Sequence, residues 1–328
     1  MAVLILSRSD VASLLDPAAC AEAVETAFRD CGLGRAAAPA VASVHAGGGG
    51  FHVKAGILEL GRSYFVAKTN GNFPDNPARH GLPTIQGTLV LADAERGTPL
   101  AVMDSIEITA LRTAAATVVA VKWLARADAR TLAVIGCGTQ GRAHLAALRG
   151  VRGFEHVVLC DADRRAALEL AAEERRAGKT RVSVEDDPTR AALAADVCVT
   201  CTPSREYVLG RAALHPGLLV AGVGADNEHK RELAPELLAG ATVVVDLLDQ
   251  CAAIGDLHHA LDAGVLTRDD VHAELGAIVA GRRPGRRSAD DMFVFDSTGM
   301  ALQDVAAAAV AYERAVERGV GLSVDLGR

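Results

Sequence analysis

The segment "LAVIGCGTQGRAH", residues 132–144, is an apolar run that breaks into Gly136-x-Gly138-x-x-Gly141 and then reads as a helix. About 25 residues further on, a second apolar run, "HVVLC", ends in Asp161. Glycines at these three positions let the backbone approach a pyrophosphate, which then sits on the helix N-terminus. A carboxylate at the end of the next strand can receive a ribose diol and repels a 2′-phosphate, so NAD is expected. Arg164 and Arg165 lie close enough to keep NADP as an alternative. The plainer account is a glycine turn that only packs helix on strand, and Asp161 weighs against it.

Three further side chains have positions that chemistry could use. Arg112 falls in the alanine-rich segment "ITALRTAAATVV", near a helix start. There a planar guanidinium, aided by the helix dipole, holds a carboxylate through two parallel bonds. A buried arginine needs an anion, so the competing account is an internal Asp or Glu partner. Lys68 ends the apolar run "YFVAK", where a stretch dense in Asn, Gly and Pro begins; a surface lysine is the bland alternative. Asp226 closes "LLVAGVGAD", a buried strand followed by a turn, and ligands of parallel sheets bind beyond the carboxyl ends of strands. Its competing role is the N-cap of a helix containing "KRELAPELL".

Elements that could hold these groups are visible in the pattern. Residues 16–31 form a helix with Asp16 as N-cap, Pro17 at the first position and Gly32 or Gly34 to end it; Val24 and Phe28 share its apolar face. Four glycines at 47–50 separate alternating stretches into a hairpin, and "SYFVAK", "TIQGTLVLAD" and "PLAVMDS" add strands. The first hundred residues thus read as a small, mainly antiparallel sheet with one helix. A long helix follows over about 106–126. Beyond it, Val/Leu/Ile runs such as "TLAVIG", "HVVLCDA", "ADVCVTCT", "GLLVAGVGA" and "TVVVDL" alternate with helices, as in a parallel sheet covered on both faces. The loop "GRRPGRRSADD", residues 281–291, is expected to face its charges to solvent. A final helix ends at Gly319.

Composition excludes several classes. A net charge of −7 argues against a nucleic-acid partner, which requires a basic face, and 3% aromatics leave few platforms for stacking bases. No apolar run approaches the roughly 18 residues of a membrane span, and "MAVLIL" is too short for an export signal. Seven cysteines, an odd number, are expected to be reduced thiols in a cytoplasmic protein. The pair Cys198 and Cys201 lies in a strand-like run without a second metal-spaced pair, and no metal site is expected. The adjacent His258 and His259 diverge on a helix and add nothing to that.

The segments "KTNGNFPDN", "GLPTIQGTLVLADAERGTPLAVMDSIEITALRTAA", "IGCGTQGRAH", "VGADNEHKREL" and "STGMALQD" resemble, in order and over nearly the whole chain, the ornithine cyclodeaminase/mu-crystallin family. The resemblance implies a Rossmann-type doubly wound parallel sheet at 126–299. It also implies a discontinuous α+β domain at 1–125 plus 300–328 that binds substrate and builds a homodimer. Lys68 and Arg112 then correspond to the family's carboxylate-binding pair, with Thr84 near them, and Asp226 to its catalytic aspartate. Lys68 and Asp226 are the expected catalytic residues. Expected NAD contacts are Gly136, Gly138, Thr139, Gln140, Gly141 and Asp161, with Thr113 and Thr202. The sequence departs from the family around the first hairpin, which reads "PAVASVH" and "FHVKAG". The usual additional arginine is absent, with Lys54 or His52 in its stead, and His52 occupies the place of the glutamate that holds a distal amine in cyclodeaminases. The expected activity is therefore NAD(P)-dependent oxidation or reduction at the α-carbon of an amino acid or its imine. Cyclisation of ornithine and non-catalytic ligand binding are the alternatives.

Overall fold

The computed structural model describes residues 2–178 and 180–327, which divide into two compact units, Met1–Arg112 with Met300–Arg328, and Thr113–Gly299. The division falls inside a helix rather than at 125, where the change of sequence texture puts it. The second half of that helix already belongs to the second unit, where Thr117 Oγ1 lies 2.9 Å from His144 Nε2.

In the first unit, β1 (Ala2–Leu6) leads into two helices, α1 (Arg8–Leu14) and α2 (Pro17–Gly32). The sequence reading has only the second. Ser7 and Asp10 form a reciprocal cap on α1, and Asp16 accepts the Ala19 N–H at 2.9 Å to start α2. An antiparallel meander follows: β2 (Ala40–Ala46), β3 (Gly49–Glu59), β4 (Ser63–Asn72), the short helix α3 (Asn76–His80), β5 (Ile85–Asp93) and β6 (Pro99–Asp104). β1 joins β6 in parallel, and the C-terminal strand Leu322–Asp325 adds antiparallel to β1, which completes seven strands. Neither end strand stands out in the sequence. Each is short, and its partner is remote along the chain.

One face of this sheet is covered by the C-terminal helix Ala301–Arg318. Tyr64, Val66 and Lys68 alternate onto that face of β4 and are buried. Gly56, opposite Val66, leaves no spare room: a Cβ there would come within 3.3 Å of Ala301 and Leu302. Helix α4 (Ser105–Leu124) ends the continuous part of the unit and carries Arg112.

The second unit is an all-parallel, eight-stranded sheet. Its strands are β7 (Thr131–Ile135), β8 (His156–Cys160), β9 (Arg181–Val184), β10 (Val197–Thr200), β11 (Leu219–Gly222), β12 (Thr242–Val245), β13 (Ala273–Glu274) and β14 (Phe293–Asp296). In space they run β13-β12-β14-β11-β10-β7-β8-β9, a Rossmann-type order that reverses beside β7. Helix α5 (Thr139–Arg149) follows β7. Strand β14, a four-residue run beyond a polar loop, inserts between β11 and β12, and the sequence alone does not announce it.

Two local expectations need correcting. Arg286 of the 281–291 loop turns inward: it donates to the carbonyls of Leu124 at 2.6 Å, Gly217 at 3.1 Å and Asp291 at 2.5 Å, and lies over the Phe293 ring. Open carbonyls at element ends attract it more than water does. The rings of His258 and His259 stay 5.1 Å apart instead of diverging. All seven cysteines are free thiols, and burial pushes Cys198 and Cys201 up from their ordinary value. Among the described residues no group of three His, Cys, Asp or Glu is arranged to hold a metal, and no helix is long and apolar enough to cross a membrane.

Candidate functional site

Lys68 is a core residue, 3% exposed, and so is Arg112 at 6%. The surface-lysine account therefore fails. Lys68 Nζ lies 2.8 Å from both carboxylate oxygens of Asp304 and donates to Thr109 Oγ1 at 3.3 Å. Arg112 donates from Nε to Asp304 Oδ1 at 3.0 Å and from Nη1 to Gln303 Oε1 at 2.9 Å. The internal acid that a buried arginine requires is thus Asp304, in the first turn of the C-terminal helix, where the dipole also favours an anion. Two cations share this one carboxylate. A guanidinium has five N–H donors, so Nη2 keeps donors for a second one.

Burial pushes Lys68 down to about 7, and Arg112 and Lys54 push the same way against the pull of Asp304. Burial raises Asp304 too, but Lys68 and Arg112 outweigh it and leave the carboxyl below its ordinary range. Lys54 sits directly across from Lys68 in the β3–β4 ladder, and His52 is one pair further along on the same face. His52 Nδ1 lies 3.0 Å from Ser43 Oγ on β2. Thr84 is not brought to this group. It precedes β5, five residues from Leu89, the partner of Lys68, or about 17 Å along the strand.

In the second unit the three glycines do different work. Gly136 has φ +101°, and a Cβ on it would meet the Cys201 carbonyl oxygen at 2.8 Å; on Gly141 it would meet the Gly136 carbonyl oxygen at 2.0 Å. Both are required for tight packing of strand, turn and helix. Gly138 differs, since a Cβ there would enter open space, and it begins α5 with no side-chain cap. Exposed Gly138 and Thr139, with half-buried Gln140, leave the helix N-terminus accessible to an anion. Asp161 reaches back into the turn, accepting the Cys137 N–H at 2.6 Å and the Asp163 N–H at 2.8 Å. Each of its oxygens keeps a lone pair for a hydroxyl. Arg164 is paired with Asp186, and Arg165 is exposed beside Asp163 and Glu169. These features fit a dinucleotide. Gly138, Thr139 and Gln140, on a turn shaped by Gly136 and Gly141, would hold its phosphates and Asp161 its ribose. Thr202 follows β10 at the reversal point, and Thr113 is buried on α4.

Asp226 lies just beyond β11, exposed, with Lys230 Nζ at 2.7 Å and the Asn227 side-chain amide donating to it at 3.2 Å. It caps no helix. The chain stays irregular until Pro235–Leu238, whose N-cap is Ala234. Sequence reasoning missed Asp304 and Gln303 as site residues, although "STGMALQD" ends on Asp304; the available signal was Arg112's need for an anion.

Known proteins align with this chain from end to end. Alanine dehydrogenase of Archaeoglobus fulgidus is 38% identical over 328 residues, all of both chains. Iminosuccinate reductase of Paracoccus denitrificans is 34% identical, covering 99% of this chain and 100% of the relative. Among solved structures, an archaeal alanine dehydrogenase dimer with bound NAD superposes with a TM-score of 0.94 at 38% identity, over 99% of this chain and 100% of that one. The Δ1-pyrroline-2-carboxylate reductase of Thermococcus litoralis, in complex with NADH and L-proline, gives 0.92 at 31% identity, over 98% and 100%. The family model matches residues 1–319, and the chain belongs to the ornithine cyclodeaminase/mu-crystallin family.

Proposed function

We propose that the protein is an NAD-dependent oxidoreductase acting at the α-carbon of an amino acid or of the corresponding imine. The observation that carries this reading is the buried Lys68–Asp304–Arg112 cluster, two cations to one anion, in a chain that also has an open glycine turn. Bound NAD supplies the hydride acceptor or, reduced, the donor. Lys68 and Arg112 hold the substrate carboxylate, which completes the charge of the cluster. Lys68, poised near neutrality, also suits proton transfer. Asp226 takes the proton that the substrate ammonium must lose before its Cα–H bond can break. It then orients the water that attacks the imine, or protonates nitrogen in the reductive direction. Asp161 selects NAD over NADP, since Arg164 is already paired. The relatives' names, alanine dehydrogenase, iminosuccinate reductase and pyrroline carboxylate reductase, support α-amino and α-imino acids as the substrate class. His52, bonded to Ser43 where a cyclodeaminase needs a glutamate, weighs against ornithine cyclisation.

The protein works as a homodimer on this reading. The sheet face turned away from the C-terminal helix carries exposed Ile5, Val44, Phe51, Ile57 and Val90, an apolar surface of the kind a second copy covers. Seven cysteines without a disulfide fit a cytoplasmic setting.

The test is NADH oxidation with pyruvate plus ammonium, oxaloacetate plus ammonium, and cyclic imino acids. Turnover is expected with at least one of them. Tight NADH binding without turnover of any would replace the enzyme reading with that of a ligand-binding protein.

A further inference from the structure

Glu232 is fully buried in the second unit and has no cation bonded to it among the described residues. Its Oε1 accepts the Thr202 N–H at 2.6 Å. Its Oε2 accepts the Thr200 hydroxyl at 2.8 Å and the Gly224 N–H at 2.7 Å. One carboxylate therefore ties the end of β10 to the end of β11, the segments that carry Thr202 and lead to Asp226. The join is tight. A Cβ on Gly224 would lie 2.3 Å from the Thr202 carbonyl oxygen and 2.5 Å from Glu232 Cδ.

Glu232 is itself held by its backbone, since Asp256 Oδ1 accepts the N–H groups of Glu232 at 2.7 Å and Leu233 at 3.0 Å. Burial raises the Glu232 carboxyl, while the N–H groups of Thr202 and Gly224 and the Thr200 hydroxyl act against that rise. Asp256 Oδ2 and Asp296 Oδ1 are different: both are buried and neither has a hydrogen-bond partner among the described residues. Both oxygens of Glu232, in contrast, are engaged.

We propose that Glu232 is a positioning residue for the reaction, a buried carboxylate that sets the Thr202 and Asp226 loops against each other on the cofactor side of the sheet. The inference rests on the functional reading above, which assigns those two loops to cofactor and acid–base chemistry. Glu232 itself touches neither ligand. Two acceptor oxygens are required there, because an amide at this position turns its N–H₂ toward the N–H of Thr202 or of Gly224.

Glu232→Gln in the full-length protein is the test, with Thr200→Val as the control that removes a single bond and keeps both backbone contacts. In Glu232→Gln the dissociation constant for NADH is expected to rise about tenfold or more, from loss of charged hydrogen bonds. The turnover number should fall by a similar factor, while KM for the imine or keto acid stays within about twofold, because the carboxylate-binding residues lie in the other unit. Hydrogen exchange at the Thr202 and Gly224 amides of the cofactor-free protein should accelerate in Glu232→Gln and remain slow in Thr200→Val. A Glu232→Gln protein that melts lower yet binds NADH and turns over normally reduces Glu232 to a fold-stabilising role and overturns the inference. So does unchanged amide exchange. Failure of the functional reading looks different: Asp226→Asn would then keep ordinary turnover, whatever Glu232→Gln does to NADH affinity.

Discussion

In the first unit two buried cations, Lys68 and Arg112, crowd one carboxylate, Asp304, whereas in the second unit Glu232, Asp256 and Asp296 are buried with peptide N–H groups as their main partners. Both arrangements neutralise charge away from water, but they leave different remainders. A cluster of opposite side-chain charges with one cation in excess is completed by an incoming anion. A carboxylate held by backbone donors acts on the chain instead, fixing where loops go. On the proposed function, recognition rests in the first unit on residual charge, and placement in the second on hydrogen bonds to the backbone.

Asp226 is the acid that breaks the second pattern, being exposed and paired with Lys230 rather than with the backbone of a helix. It should give the largest effect. Asp226→Asn is near-isosteric, and kcat should fall by about a hundred- to ten-thousandfold, as loss of general acid–base help does. NADH affinity and Tm should remain close to wild type. Steady-state kinetics and a melt decide this, and ordinary turnover removes Asp226 from the chemistry.

Within the first unit the comparison sharpens at Arg112. Arg112→Lys keeps the charge and loses the planar fork that reaches Asp304, Gln303 and a ligand together. A loss of about ten- to a hundredfold in kcat/KM is expected, with the NADH dissociation constant unchanged. If NADH binding and folding fail with activity, the cluster is a structural ion pair and the contrast between the units disappears.

Lys68 makes the residual charge titratable. Burial, with Arg112 and Lys54 beside it, holds its pKa at about 7, so the cationic form drains away above neutrality. The dissociation constant of an unreactive carboxylate analogue should rise about fivefold between pH 7 and pH 8, the change expected for losing a group that titrates near 7. Lys68→Arg cannot deprotonate in this range, so it should flatten the dependence. An identical slope in that variant would assign the titration elsewhere.

How much of this was legible in the residues depends on how local the constraint is. The glycine turn could be read because its demands lie within six residues: Gly136 needs a positive φ and Gly141 a bare Cα. Asp161 follows from strand spacing alone. Lys68 and Arg112 could be suspected as cations in apolar or small-residue surroundings. Their shared anion could not be located, because Asp304 is 192 residues from Arg112 and sits in a helix whose pattern only shows that it is amphipathic. A still longer separation, from Ala2 to Asp325, hides the pairing of β1 with the C-terminal strand. Glu232 lies in a segment that reads as helix and folds as irregular chain, because its carboxylate binds three donors on other segments instead of facing water. Charge satisfied by remote backbone leaves no local signature.

The smallest effect tests the backbone-held acids. Burial raises Asp296 to about 7, with the charges of Asp246 and Glu232 adding to it and the N–H groups of Leu257 and Asp256 opposing; Asp256 is raised as well, by burial and then by Asp296. The two titrate as a pair, and Asp256 Oδ2 and Asp296 Oδ1 are the oxygens left without donors. An acid whose folded pKa is raised binds its proton more tightly in the folded state. Between about pH 4 and pH 7 the folded protein therefore keeps a proton that the unfolded chain has released, and stability falls as pH rises through that window. Lys68 has the opposite sign, a base depressed on folding, and contributes only above about pH 7. From pH 5 to pH 7 the acid pair should dominate between these two, with a slope on the order of 1 kcal/mol per pH unit, or about 2 °C in Tm. Asp296→Asn is neutral like the protonated acid and keeps an oxygen for the Leu257 N–H. Its Tm should match wild type near pH 5 and exceed it near pH 7. If the variant keeps the wild-type slope, the proton is not held by this pair, and the acids of the second unit are ionised like Asp304 in the first.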